Sequence, residues 1–262
     1  MSPRATRNRE GRMSLGAHLV ELRKRLVLAA IGVGLGMVLG FVVSGWVIEQ
    51  ITIPIETIAE SRNASLNFDT VTSSFDLRLK VALTVGVVAS SPVWLYQIWA
   101  FLVPGLTRKE VLYALGFLGS AVPLFLIGCS AGWLVMPHIV ELMAGFTPSE
   151  NATNLYQASY YYDFVLKLML AVGIAFVLPV FLVLLNFVGV LSAAAIIGGW
   201  RIAILVIVLF CALATPAADV ISMFLLAIPM IVLYFAAYGV AWLHDRRARR
   251  RSDALAAETA PL

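Results

Sequence analysis

Long apolar runs without charge recur along this chain, each closed by charged residues, proline or glycine. A helix needs about 20 apolar residues to cross the hydrocarbon core of a bilayer, so runs of this length predict transmembrane helices. The first span is 26–48. The second is 81–103, interrupted by Pro92 and polar Gln97; the third is 111–136, with Pro123 inside; the fourth is 168–190, with Pro179. The stretch 202–243 is too long for one crossing. Thr215, Pro216, Ala217, Ala218 and Asp219 break it, because proline interrupts helical bonding and aspartate is costly in hydrocarbon. That break predicts the tip of a helical hairpin, with a short fifth span at 202–214 and a sixth at 220–243. Ahead of the first span, Leu15, Leu19, Leu22 and Leu26 are spaced four, three and four, with His18, Glu21 and Arg25 as a polar stripe beside them. This is the pattern of an amphipathic helix lying in the membrane surface and leading into the first span.

Of the 262 residues 61% are hydrophobic and only 13% charged, which argues against a soluble globular or a disordered chain. A transmembrane barrel would show short alternating segments instead. Charge then sets the orientation. Seven Lys and Arg precede the first span, five follow the last, and Arg108, Lys109 and Arg201 fall in two loops predicted on the same side, so most of the 19 basic residues share one face. The positive-inside rule makes that face cytoplasmic. The fold class expected is all-α: a polytopic membrane protein of six transmembrane helices, N and C termini cytoplasmic. Residues 1–13 are a basic cytoplasmic tail, 14–245 the membrane domain, and 246–262 a basic, then Ala-rich cytoplasmic tail expected to be disordered. The outer loops, 50–78 and 137–163, are long. Tyr156, Tyr160, Tyr161 and Tyr162 fit an interfacial belt.

Candidate chemistry is sparse. Cys129 and Cys211 lie inside apolar runs and read as small buried hydrophobes. His18, His138 and His244 sit on different segments, so no metal site, cofactor or catalytic group is expected, and nothing points to nucleic acid. Two acids stand out on the basic face. Glu21 lies in the N-terminal stripe, where its bland role is an ion pair with Arg25 one turn on. Glu110 follows Pro104-Gly105, a helix break, and Thr107, a potential cap; its bland role is compensation of the helix dipole.

The ordered set His18 to Arg25, Phe75-Asp76 with Lys80, Pro92 to Glu110, Thr215-Pro216 with Asp219, and Leu226 to Pro229 resembles the TatC family, the polytopic core of the twin-arginine protein translocase. The resemblance covers roughly 13–245. It implies a cupped bundle in a bacterial or archaeal plasma membrane, a receptor for signal peptides bearing two consecutive arginines, which organises TatA-type and TatB-type single-span partners and other TatC copies in the lipid bilayer for export driven by the proton-motive force. By that resemblance Glu21 and Glu110 would receive the twin arginines, with Arg23 orienting Glu21 or touching lipid phosphate, and Phe101 and Pro104 shaping the site. Pro54, Phe75 and Asp76 would shape an outer cap. Gln97, Thr215, Pro216 and Asp219 would serve partner docking, Gln97 being equally readable as one end of an interhelical hydrogen bond. One position departs from the family: Val177 stands where many members carry glutamate in the fourth span.

Two other classes compete. An ion-coupled transporter would place ionisable residues near the midplane and show internal repeats, whereas the charges here collect at span ends. An intramembrane enzyme would need a nucleophile–base pair or a metal cluster. The expectation is therefore a receptor and translocase core that is not an enzyme.

Overall fold

The computed structural model describes residues 15–62, 65–68, 70, 72–102, 108–145, 155–215 and 220–259. Helix α1, Leu15–Arg62, is followed by the three-residue strand β1, Ser65–Asn67, then α2, Ser73–Ala89, and α3, Ser91–Leu102. Next come α4, Arg108–Gly145, strand β2, Leu155–Gln157, and α5, Ala158–Phe187. The short α6, Ala193–Gly198, leads to α7, Trp200–Ala214, and α8, Val220–Thr259. Among the described residues four helices are long and apolar enough to span a membrane; the α2–α3 pair, bent by 58°, makes a fifth candidate. Helix α7 is apolar but shorter, about 22 Å at 1.5 Å per residue against a core of about 30 Å.

Several boundaries move. The N-terminal stripe is not a separate surface helix: α1 runs through it and the first span without a break. The junction at 22–26 is Leu-Arg-Lys-Arg-Leu, all strong helix formers with no proline or glycine among them, so nothing ends the helix there. Much of both outer loops is also helical, and three residues of each pair as a parallel ladder, Ser65 with Leu155, Leu66 with Tyr156 and Asn67 with Gln157. The tail expected to be disordered continues α8 to Thr259, because alanine and arginine are strong helix formers and the membrane helix supplies the nucleus.

The bend between α2 and α3 follows from Pro92, which has no N–H to offer the Val88 carbonyl. The Trp94 indole N–H reaches back to the Val87 carbonyl at 2.9 Å and satisfies part of what the bend exposes. At the end of α5, Gly189 adopts φ 82°, its N–H bonds the Asn186 carbonyl, and the Val190 N–H bonds the Leu185 carbonyl. These two bonds satisfy the last carbonyls of α5 and turn the chain toward α6.

Helix α5 is the centre of the bundle. Val165 and Leu166 pack with Ile51, Leu77 and Val140; Val177 and Leu184 with Leu95, Trp99 and Phe125; Val172 and Phe176 with Cys211, Leu226 and Met230. Glycine brings α4 and α5 together: a Cβ at Gly128 would lie 2.8 Å from the Gly173 Cα. Leu35, Val38 and Val42 on α1 and Leu205, Leu209 and Leu213 on α7 are exposed, as lipid-facing side chains should be.

One clasp fixes the C-terminal end of α5 to α8. The Asp245 carboxylate accepts from Asn186 Nδ2 at 2.9 Å and from the Ala193 N–H at 2.8 Å, while Asn186 Nδ2 also donates to the Leu191 carbonyl. Asp245→Ala strands these donors and should cost about 1–2 kcal/mol, toward the low side of the usual range because the carboxylate is partly solvated. Thermal unfolding in detergent should show a lowered midpoint; an unchanged midpoint would mean that water replaces the carboxylate.

Candidate functional site

His18, Glu21 and Arg25 lie three and four residues apart, on one face near the start of α1. Glu21 is half-buried, and its Oε1 accepts both from Arg25 Nε at 3.0 Å and from a terminal guanidinium nitrogen of Arg25. Thus Arg25, not Arg23, orients the carboxylate; Arg23 is exposed. The i, i+4 separation puts Arg25 one turn away and on the same side, and a residue at i+2 points elsewhere. Both bonds fall on one oxygen. Oε2 has no partner among the described residues.

Helix α3 is anchored by Leu95, Trp99 and Ala100, all buried, against α4 and α5. That leaves Phe101 half-buried on the side of α1, where its ring stacks on His18 with centroids 4.4 Å apart and planes inclined by 23°. Helix α4 begins at Arg108, so Glu110 stands in its first turn; of Glu110 only the helical backbone is described, and Pro104 lies outside the described residues. Helix α1 packs against both α3 and α4. The N-terminal stripe and the end of α3, more than 75 residues apart in sequence, therefore meet at one end of the bundle. Asn186 and Asp245 tie the C-terminal ends of α5 and the membrane part of α8 together, and α4 residues Gly116 and Phe117 line a cavity with Phe187 of α5 and Val240 of α8. That end is the basic one.

The other predicted residues lie elsewhere. Pro54, within α1, lines a small cavity with Gln50, Ile51, Trp133, Met136 and Val165. Phe75 is exposed at the start of α2, and Asp76 binds Lys80 at 2.8 Å. Lys80 also binds Asp163 of α5 at 3.0 Å, and Lys167 stands 3.9 Å from Asp163, so four charges link α2 to α5 at the end opposite Glu21. Two tyrosines expected in an interfacial belt serve instead as ties to α1: Tyr161 donates to the Ile51 carbonyl at 2.7 Å, and buried Tyr162 hydrogen-bonds the Thr52 hydroxyl at 2.6 Å. Tyr160 is exposed and keeps the belt position; the side chain of Tyr156 lies outside the described residues. A phenol buried beside a helix needs a polar partner, and the α1 backbone provides it.

Gln97 is half-buried and makes no hydrogen bond to another described residue. Thr215 ends α7: its N–H and its hydroxyl both bond the Cys211 carbonyl at 2.9 Å. Pro216 and Asp219 lie outside the described residues. Val177 is buried among Leu95, Phe125 and Leu184, so this bundle fills with apolar packing the place where an acid would sit. Three features were missed in the sequence: the His18–Phe101 stack, the Asp245 clasp, and a stripe of glycines, Gly32, Gly36 and Gly40, on α1. The four-residue spacing of those glycines is visible in the sequence and could have revealed a close helix crossing.

The family model described as "Sec-independent protein translocase protein (TatC)" matches residues 17–229. A TatC from Xylanimonas cellulosilytica is 45% identical over 251 residues, covering 95% of this chain and 91% of its own. TatCy of Bacillus subtilis is 29% identical over 250 residues, covering 95% of this chain and 96% of its own. A crystal structure of the twin-arginine translocase receptor TatC in the detergent DDM superposes with a TM-score of 0.72 at 29% identity, over 86% of this chain and 99% of that one. The chain therefore belongs to the TatC family of Sec-independent protein translocase proteins, and is a multi-pass protein of the plasma membrane.

Proposed function

We propose that this chain is the receptor of its translocase, binding the paired arginines of a signal peptide between Glu21 and Glu110 at the basic, cytoplasmic end of a six-span bundle. The observation that carries the reading is the stack of His18 on Phe101, which joins the helix bearing Glu21 to the end of α3, nine residues before Glu110 in the sequence. Arginine presents a planar fork that a carboxylate accepts through two parallel hydrogen bonds, and lysine does not. Two acids on separate helices test for two guanidiniums at once, while the surrounding cations repel basic segments presented wrongly. No step of bond making is needed, which suits a protein whose role is translocation. TatA-type and TatB-type single-span proteins and further TatC copies would assemble around the bundle, with Gln97 and the hairpin at Thr215 as docking points and Pro54, Phe75 and Asp76 closing the outer end. Export would draw on the proton-motive force acting on that assembly.

The test is site-specific photocrosslinking from position 110 with paired twin-arginine and twin-lysine signal peptides. Strong capture of the arginine peptide and weak capture of its lysine counterpart is the expected result. Equal capture of both would remove the carboxylate–guanidinium reading.

A further inference from the structure

Near the basic end, α4, α5 and α8 enclose a cavity of about 350 Å³ lined by Phe117, Leu184, Phe187, Leu233, Ala236 and Val240. Its lining is almost wholly apolar. Its mouth is open, since Gly116, Ala236 and Val240 at its edge are exposed. Apolar walls with an open mouth suit a hydrocarbon chain lying between the helices.

What stands above the cavity completes the argument. On α8 the positions Leu233, Ala236, Val240, His244, Arg247 and Arg251 follow one another at three- and four-residue intervals, which places them on one helical stripe. The His244 ring packs against Phe187 at 4.6 Å and forms the rim. Arg247, about 10 Å further along the axis than Val240, and Arg251 one turn beyond are exposed, and neither has an acidic partner among the described residues. Arg246 is engaged differently, its guanidinium lying over the Trp242 ring at 5.1 Å. An apolar slot beneath two guanidiniums that no described acid neutralises matches one kind of molecule: a lipid with a hydrocarbon tail and a head of net negative charge.

We infer that this groove is a binding site for one anionic phospholipid, its acyl chain between α4, α5 and α8 and its phosphate at Arg247 and Arg251. The inference needs only that the bundle is embedded in a membrane, so it stands or falls separately from the signal-peptide reading.

The experiment uses the full chain, delipidated in detergent and titrated with phosphatidylglycerol or phosphatidylcholine of identical acyl chains, with bound lipids counted by native mass spectrometry. The wild type should prefer phosphatidylglycerol by about 30-fold, the value for two arginines near a headgroup of net negative charge. R247Q/R251Q should lose that preference while still binding phosphatidylcholine; both positions are exposed, so the variant should fold. Ala236→Phe fills the slot and should weaken both lipids, with an unchanged circular dichroism spectrum as the folding control. Excess inorganic phosphate should not displace the bound lipid. Equal retention of the two lipids by the wild type, an undiminished preference in R247Q/R251Q, undiminished binding in Ala236→Phe, or displacement by free phosphate would each overturn the assignment. So would a photocrosslink from position 236 that captures a twin-arginine peptide's apolar segment in place of lipid.

Discussion

Glu110→Ala should weaken capture of a twin-arginine peptide by about 10- to 100-fold, the usual scale for losing a charge-assisted, two-pronged hydrogen bond. The peptide's affinity should be measured on reconstituted bundles, with a twin-lysine peptide in parallel. Capture of the lysine peptide starts weak and should hardly change, so the variant should erase discrimination rather than binding in general. Glu21→Ala should act in the same direction but less strongly. Its Oε1 is already held by Arg25, and an incoming guanidinium must either take Oε2 or exchange with Arg25. This also separates a functional Glu21 from one that merely supports α1. If Glu21 serves only the ion pair, Arg25→Gln and Glu21→Ala should have equal effects on peptide capture. If it receives the peptide, Arg25→Gln should keep discrimination between arginine and lysine while Glu21→Ala loses it. Rising ionic strength should weaken the arginine peptide, because charge pairs at a membrane surface are screened within a Debye length of about 8–10 Å. An affinity flat across salt, or unaltered in both glutamate variants, would count against the site.

The legible parts of this molecule were those dictated by the solvent. The hydrocarbon core forces backbone groups to pair within helices, so apolar runs gave the spans and the break at Thr215 gave the end of α7 at Ala214. Helix ends were less legible, because hydropathy marks where lipid stops and not where the helix does. Thus α1 overruns the first apolar stretch at both ends, and α8 carries its arginines on helix rather than on a disordered tail. Tertiary ties were the least legible. Nothing local about Asp245 reveals that it caps α6 across more than fifty residues, and nothing about Tyr162 reveals that its partner is Thr52. At the candidate site the acids were visible as rare negative residues on a basic face. The meeting of α1 with α3 was not, since it depends on Phe101 stacking on His18 across two helices.

The second large effect should come from the helix crossing that holds α1 in place. A Cβ at Gly36 would lie 2.6 Å from the Gly86 carbonyl oxygen, and one at Gly40 would lie 2.4 Å from the Ala82 carbonyl oxygen and 3.0 Å from the Ala82 Cα. From the other side, a Cβ at Gly86 would lie 2.7 Å from the Met37 nitrogen. The obstacles are backbone atoms, which cannot swing aside as a side chain can. Helices in lipid gain nothing from excluding water and associate through close packing, so forcing these backbones apart removes the attraction itself. Overpacking usually costs about 1–3 kcal/mol, and Gly40→Leu should reach or exceed the top of that range because no rotamer relieves it. The displacement would also carry Glu21 and His18 away from Phe101, so peptide discrimination should fall together with stability. Gly34→Leu is the matched control: it lies on the same helix, involves the same change in side chain, and has nothing within 4 Å of its Cβ position. Thermal unfolding in detergent should show a large drop for Gly40→Leu and little change for Gly34→Leu. Equal midpoints for the two would mean that lipid, and not this crossing, holds α1 against α2.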